Sequence, residues 1–229
     1  MNGYTLFKEQ ATAVIEKYKE LSYKKENGIP CVFGSLVLTD EYGGIEDTYQ
    51  IEIKAVDDYP NSFPLVFETG GRIPRNVDWH IFEDNGNCCI ASPPEEIIIC
   101  HSGLTLLSFI DNQVKNYFYS QIFRNQNGYF LKERSHGNKG WIEFFEETFM
   151  TDNIFNIEFG LLQIIEGKKI NRVSICFCGS GKKYRKCHKK SYDILSKLSL
   201  DNVKLFLHAL RETREYKIAV YQRNQILNK

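Results

Sequence analysis

Apolar and polar positions change period several times along the chain, and each change marks an element. Phe7, Ala11, Val14, Tyr18 and Leu21 recur at alternating steps of four and three, which lines one helix face with apolar groups. This spacing predicts a first helix that runs until Asn27-Gly28 stops it. The next stretches, IPCVFGSLVLT and IEDTYQIEIKAV, are β-branched and apolar with DEYGG between them, the chemistry of a hairpin. PLVFET reads as a third strand. From Gly70 to about Pro94 periodicity gives way to Gly, Pro, Asn and Asp, so a long loop is expected, and loops of this length are functional or disordered. LTLLSFIDNQVKNYFYSQIF then reads as a long helix begun near Ser102, and GWIEFFEETFM as a shorter one opened after Gly140. In the tail, Ile194, Leu198, Val203, Leu205 and Leu210 among polar residues predict one or two helices that pack on the preceding module or on a partner. The class is α+β: a helix, an antiparallel meander and further helices.

Composition changes this picture little, since 42% hydrophobic and 25% charged residues over 229 positions describe an ordinary globular protein with a core. Charge changes it more. Residues 1–166 carry 13 Lys and Arg against 25 Asp and Glu, residues 167–190 carry nine basic residues and no acid, and residues 191–229 carry seven against four. An acidic body followed by a small basic module is implied, with a boundary near residue 160. The expected divisions are a domain over 1–155, a linker and metal module over 156–190, and a helical tail over 191–229. No apolar run approaches the roughly 20 residues of a membrane span, so no membrane partner is expected. The N-terminus MNGYTLFKEQ lacks the basic start and apolar stretch of a signal peptide, and a cytoplasmic address is expected. Seven cysteines in such a chain argue for thiols that do chemistry or hold metal rather than for disulfides.

The metal reading is the more direct of the two. ICFCGSGKKYRKCHKK sets Cys176 and Cys178 one residue apart, then Cys187 and His188 side by side after a Gly-Ser-Gly turn. Three thiolates and one imidazole make a closed tetrahedral set, the donor chemistry of structural Zn2+. A stretch this short has no core of its own, so metal would supply its folding energy. The spacing resembles the SEC-C motif, a short zinc-binding appendage of bacterial proteins. Lys182, Lys183, Arg185, Lys186, Lys189 and Lys190 with Tyr184 offer a phosphate grip, but three thiolates around one dication leave a net charge of about −1 that nearby lysines offset. Nucleic acid is therefore disfavoured as a partner, and contact with an acidic protein surface is preferred.

The other cysteines of interest lie in DWHIFEDNGNCCIASPPE, within the long loop. Taken alone, a cysteine before apolar Ile90 reads as a small buried hydrophobe. The order of parts reads differently. A first helix, a meander, the stretch Tyr59-Pro60-Asn61-Ser62-Phe63-Pro64-Leu65-Val66-Phe67, a loop with Asn85-Gly86 just before a cysteine, and a following helix resemble ubiquitin-conjugating enzymes over about residues 1–150. RSHGNKGWIEFFEE, residues 134–147, is similar to bacterial ubiquitin-conjugating-like proteins of cyclic-oligonucleotide antiphage operons.

That resemblance implies a ubiquitin-conjugating-like fold and makes Cys89 the thioester-forming residue, with Cys88 the apolar position before it. A thiol suits this role because it is partly ionised near neutral pH. The family's His-Pro-Asn tripeptide is absent, His80-Ile81-Phe82 standing near its place, so Asn85 or Asn87 is the candidate substitute for its asparagine. His80 and His136 are candidates to act on the incoming amine, and His80 alternatively pairs with Trp79 to anchor the loop. The implied partners are an activating enzyme or a cGAS-like nucleotidyltransferase, together with a ubiquitin-like or target protein. The competing expectation is an inactive conjugating-fold adaptor that docks a protein partner through its metal module.

Overall fold

The computed structural model describes residues 2–135 and 137–227, and the chain divides into two compact units, Met1–Glu133 and Arg134–Lys229. The first unit is a helix, a four-stranded antiparallel sheet and a helical segment. Helix α1 (Gly3–Lys17) is opened by Asn2, whose side chain accepts the Tyr4 amide at 2.8 Å, and buries Phe7, Ala11 and Val14. An N-cap of this kind is worth about 1 kcal/mol. The helix ends ten residues before Asn27-Gly28. Leu21–Glu26 forms β1 instead, paired antiparallel with β2 (Ile29–Thr39). Asn27 and Gly28 both adopt positive φ, 49° and 87°, the backbone of a two-residue hairpin turn. Thus the Asn-Gly pair joins two strands rather than stopping a helix, and Leu21 reaches the core from a strand.

Strands β3 (Ile45–Lys54) and β4 (Leu65–Glu68) complete a sheet of order β1-β2-β3-β4. Side chains alternate across it. Val32, Leu36, Leu38, Tyr49, Ile51 and Ile53 are buried on one face, while Glu52 on the other accepts from Lys24 and Lys54 at 2.8 and 3.1 Å. Against the inner face pack α1 and a long helical segment made of α3 (Leu106–Phe109), a π turn over Ile110–Val114, and α4 (Lys115–Asn127). Phe109, Ile110, Val114 and Phe118 are fully buried there, and each contributes roughly 1.5–3 kcal/mol by leaving water. The helix expected from Ser102 starts four residues later, capped by Thr105. Before it lies α2 (Pro93–His101), absent from the sequence expectation, with a capping box between Ser92 and Glu95 and two prolines in its first turn.

The second unit contains α5 (Asn138–Phe149), α6 (Ile154–Ile165), α7 (Lys189–Leu195), α8 (Leu200–Glu212) and α9 (Arg214–Leu227). Phe145, Phe149, Ile157, Leu161, Leu195, Phe206 and Leu210 form its buried centre, and Trp141 meets Phe206 edge-on at 5.8 Å. The division between units falls at 133/134, upstream of the expected 155, because the apolar face of α5 packs on α6 and α8. The metal module and tail, expected as separate pieces, share this one unit. In the tail Leu198, Val203 and Leu210 are buried, whereas Ile194 and Leu205 are exposed. Among the described residues no helix is long and apolar enough to cross a membrane.

Candidate functional site

The loop between β4 and α2 is more ordered than its composition suggests. Arg75 donates from Nε to the Glu83 carbonyl at 2.8 Å and from Nη2 to the Asp84 carbonyl at 2.6 Å. A 3-10 turn over Val77–Trp79 is capped by Asn76. It ends at His80, whose φ of 53° and ψ of 40° lie in the left-handed region, uncommon for a residue with a Cβ. Residues 80–82 then run beside 87–89 as a short ribbon. The Phe82 amide donates to the Asn87 carbonyl at 2.9 Å, and the Cys89 amide donates to the His80 carbonyl at 2.7 Å. Gly86, with φ of 78°, permits the reversal, and Asn85 is exposed on the turn.

Burial separates the two cysteines of this ribbon. Cys88 is 3% exposed, its amide donates to the Val66 carbonyl at 2.7 Å, and burial pushes its thiol up to about 12. Cys89 is half-buried. Its thiol is also raised, first by burial and then by the carboxylates of Glu95 and Glu96 in the first turn of α2, so it is protonated near neutral pH. The His80 ring lies edge-on to Phe130 at 4.7 Å, with Nε2 3.8 Å from a Glu133 carboxylate oxygen. Asn87 is buried, and its Oδ1 has no hydrogen-bond partner among the described residues. His136 lies outside the described residues.

The sequence did not single out two residues that hold this ribbon from behind. Tyr117 Oη sits 3.2 Å from the His80 carbonyl, and Gln121 Nε2 donates to the Trp79 carbonyl at 2.9 Å. Both are buried on the inner face of α4. A glutamine on an otherwise apolar stripe is the one sequence signal that marks them.

In the second unit the expected ligand set converges. One ligand atom from each of Cys176, Cys178, Cys187 and His188 lies within 4.8 Å of the others. Cys176 Sγ and Cys187 Sγ are each 3.1 Å from His188 Nδ1, and Cys178 Sγ is 3.6 Å from Cys187 Sγ. An ion bound tetrahedrally by sulfur and nitrogen at about 2.0–2.3 Å sets its donors roughly 3.5–3.8 Å apart, so the four can hold a metal ion with small adjustments. Gly179 and Gly181, with φ of 74° and 72°, turn the chain between the two halves of the set. Ser180 Oγ lies 3.1 Å from Cys178 Sγ and 3.5 Å from Cys187 Sγ.

The ring of His188 is oriented from outside the cluster, because its Nε2 faces the carbonyl of Phe149 on α5, which leaves Nδ1 for a metal. Burial lowers the ring's proton affinity, with the Phe149 carbonyl opposing, and a neutral imidazole is the ligand form. Tyr184 and His188 are 3% and 2% exposed, and Asn156 of α6 donates to the Cys178 carbonyl at 3.2 Å. The module therefore shares the core of the second unit instead of standing as a coreless appendage. Of the residues of the basic stretch, Lys182, Lys183, Arg185, Lys186 and Lys190 are exposed, Lys189 pairs with Asp193, and the aromatic Tyr184 is buried.

Compared with protein-family models, with curated proteins and with solved structures, the chain matches none.

Proposed function

We propose that the first unit is a ubiquitin-conjugating-like domain whose Cys89 carries an acyl group as a thioester and passes it to a lysine amine. In the first step the Cys89 thiolate attacks an activated C-terminal carbonyl and the activating thiol leaves. In the second an amine attacks the thioester, an amide forms and the Cys89 thiol is regained. The observation that carries the reading is the separation of neighbours: of two adjacent cysteines on a pinned ribbon, Cys88 is locked in the core and Cys89 is left half-buried at the surface. The acyl donor would be a ubiquitin-like protein or a cGAS-like nucleotidyltransferase, loaded by an activating enzyme, in bacterial antiphage defence.

The second unit is read as a SEC-C-like module with structural Zn2+ on Cys176, Cys178, Cys187 and His188. All four positions around the ion are then filled by protein, which fits a folding role. An inactive adaptor is the second reading. The two carboxylates that act on the Cys89 thiol favour it, because they oppose ionisation.

The test is to express the chain with the genes that neighbour its own and resolve it on non-reducing gels. A conjugating enzyme gives a thiol-sensitive adduct, retained as a hydroxide-sensitive oxyester in Cys89→Ser and unaffected by Cys88→Ser. Adduct loss in Cys88→Ser with retention in Cys89→Ala moves the nucleophile by one residue. No adduct in any variant leaves the adaptor.

A further inference from the structure

Resting on the reading of Cys89 as the acyl carrier, we infer that Tyr117 is a positioning residue whose hydroxyl sets Cys89 through the backbone of His80, with Gln121 as a second pin. His80 bends into a left-handed conformation, and that bend aims its carbonyl at the Cys89 amide, 2.7 Å away. The same carbonyl faces Tyr117 Oη at 3.2 Å. The carbonyl before it, of Trp79, receives Gln121 Nε2 at 2.9 Å and lies 3.4 Å from Tyr117 Oη. Tyr117 and Gln121 are one helical turn apart on α4, so a rigid element holds two consecutive carbonyls where the 3-10 turn passes into the ribbon.

The Tyr117 hydroxyl and the Cys88 thiol also act on each other electrostatically, the tyrosine lowering the thiol against the larger effect of burial. One buried polar atom thus faces the carbonyl that fixes Cys89. Core packing does not require it. The ring fills its place edge-on to Phe118 at 5.1 Å, which a phenylalanine would do equally, and a buried hydroxyl is costly unless its bonds are used. Its use is geometric: acyl transfer needs the attacking atom within about 3–3.5 Å of the carbonyl carbon, and a freed His80 turn would let Cys89 drift from that place.

The experiment compares full-length wild type, Tyr117→Phe and Gln121→Met. Three quantities are read: the thermal midpoint, the rate of Cys89 alkylation by iodoacetamide against pH, and acyl transfer from a synthetic peptide thioester of 2-mercaptoethanesulfonate. The charged and titratable groups that face Cys89 are Glu95 and Glu96 of α2, the Cys88 thiol and Tyr117 itself. For Tyr117→Phe the midpoint should stay within about 3 °C. Alkylation should rise roughly fivefold, the equivalent of one hydrogen bond of about 1 kcal/mol, with its pH midpoint moving down as Cys89 gains solvent. Acyl transfer should fall by a similar factor, and Gln121→Met should move both rates the same way by less.

A folded Tyr117→Phe with the wild-type alkylation rate and pH profile overturns the inference. If Tyr117→Phe does not fold, Gln121→Met decides, and an unchanged Cys89 profile in it is equally fatal. Wild type that accepts no acyl group while the alkylation shift persists supports the hold on Cys89 and removes the acyl-transfer reading instead.

Discussion

Cys88-Cys89 in the first unit and Cys187-His188 in the second are both adjacent pairs of potential ligands, yet their side chains do opposite things. At the bridge of Ile81 with Cys88 the Cys88 side chain is buried in the core, while Cys89 stays half-buried. At Cys187 and His188 the backbone is not extended, with φ and ψ of −127° and −102° at the first and −91° and 4° at the second. Their ligand atoms meet at 3.1 Å. Adjacency therefore carries no chemistry by itself. Convergence on a point makes a set that could hold a metal ion, and divergence isolates one thiol with a neighbour that anchors it.

The largest effect should come from breaking the convergent pair. On the proposed reading of this set as a structural zinc site, removing metal with a chelator, or changing Cys187 to Ala, should unfold the second unit, since structural zinc supplies apparent binding energies of order 10 kcal/mol. The chain has two tryptophans, Trp79 in the first unit and Trp141 in the second. In a Trp79→Phe background the Trp141 emission should shift red on chelation, while Cys89 alkylation in the first unit stays constant. Emission unchanged after complete metal removal would show that the shared core around Tyr184 and His188 suffices without the ion.

Breaking the divergent pair should cost less. Cys88→Ala empties a buried position and should lower stability by about 1–2 kcal/mol, measured by urea unfolding, with Cys89 still modifiable. The same thiol supplies a pH effect. Its folded value of about 12 stands above the unfolded value of 9.0, so the stability it contributes is full below pH 9 and declines as pH rises toward 12. The loss approaches about 1.4 kcal/mol per pH unit for each such thiol. Cys31 and Cys100 are likewise raised to about 12 by burial, so unfolding between pH 9 and 12 should steepen, and Cys88→Ala should flatten the curve by one thiol.

The smallest change sharpens the role of His80. Asparagine tolerates the left-handed conformation and keeps the carbonyl that accepts from Cys89. His80→Asn should leave Cys89 alkylation within about twofold of wild type, well inside the effect of one hydrogen bond. If acyl transfer then falls while alkylation holds, the imidazole acts on the amine. If both hold, His80 serves through its backbone.

Much of this was legible from residue order. The hairpin of β2 and β3, the strand at Leu65 and the helix through Phe118 follow apolar periodicity, and the Cys176 to His188 set follows ligand spacing. The first helix was read too far because Tyr18 and Leu21 face the core from a C-cap and a strand, which continues the helical period across an element boundary. Helix α2 escaped because Ile97, Ile98 and Ile99 form a run without period, although Ser92-Pro93-Pro94-Glu95 is a capping signal. Neither the domain boundary nor the hold of Tyr117 on His80 was legible. Both depend on contacts between distant segments, α5 with α8 and α4 with the ribbon.

The most direct measurement of the central claim uses purified wild type and a peptide thioester of 2-mercaptoethanesulfonate, with the acylated residue located by mass spectrometry of proteolytic fragments. The account predicts one acyl group per chain, on Cys89, removed by thiols and by a lysine amine, with Cys88 unmodified. Acylation on Cys88, or spread evenly over Cys89 and the metal-site cysteines, would contradict it.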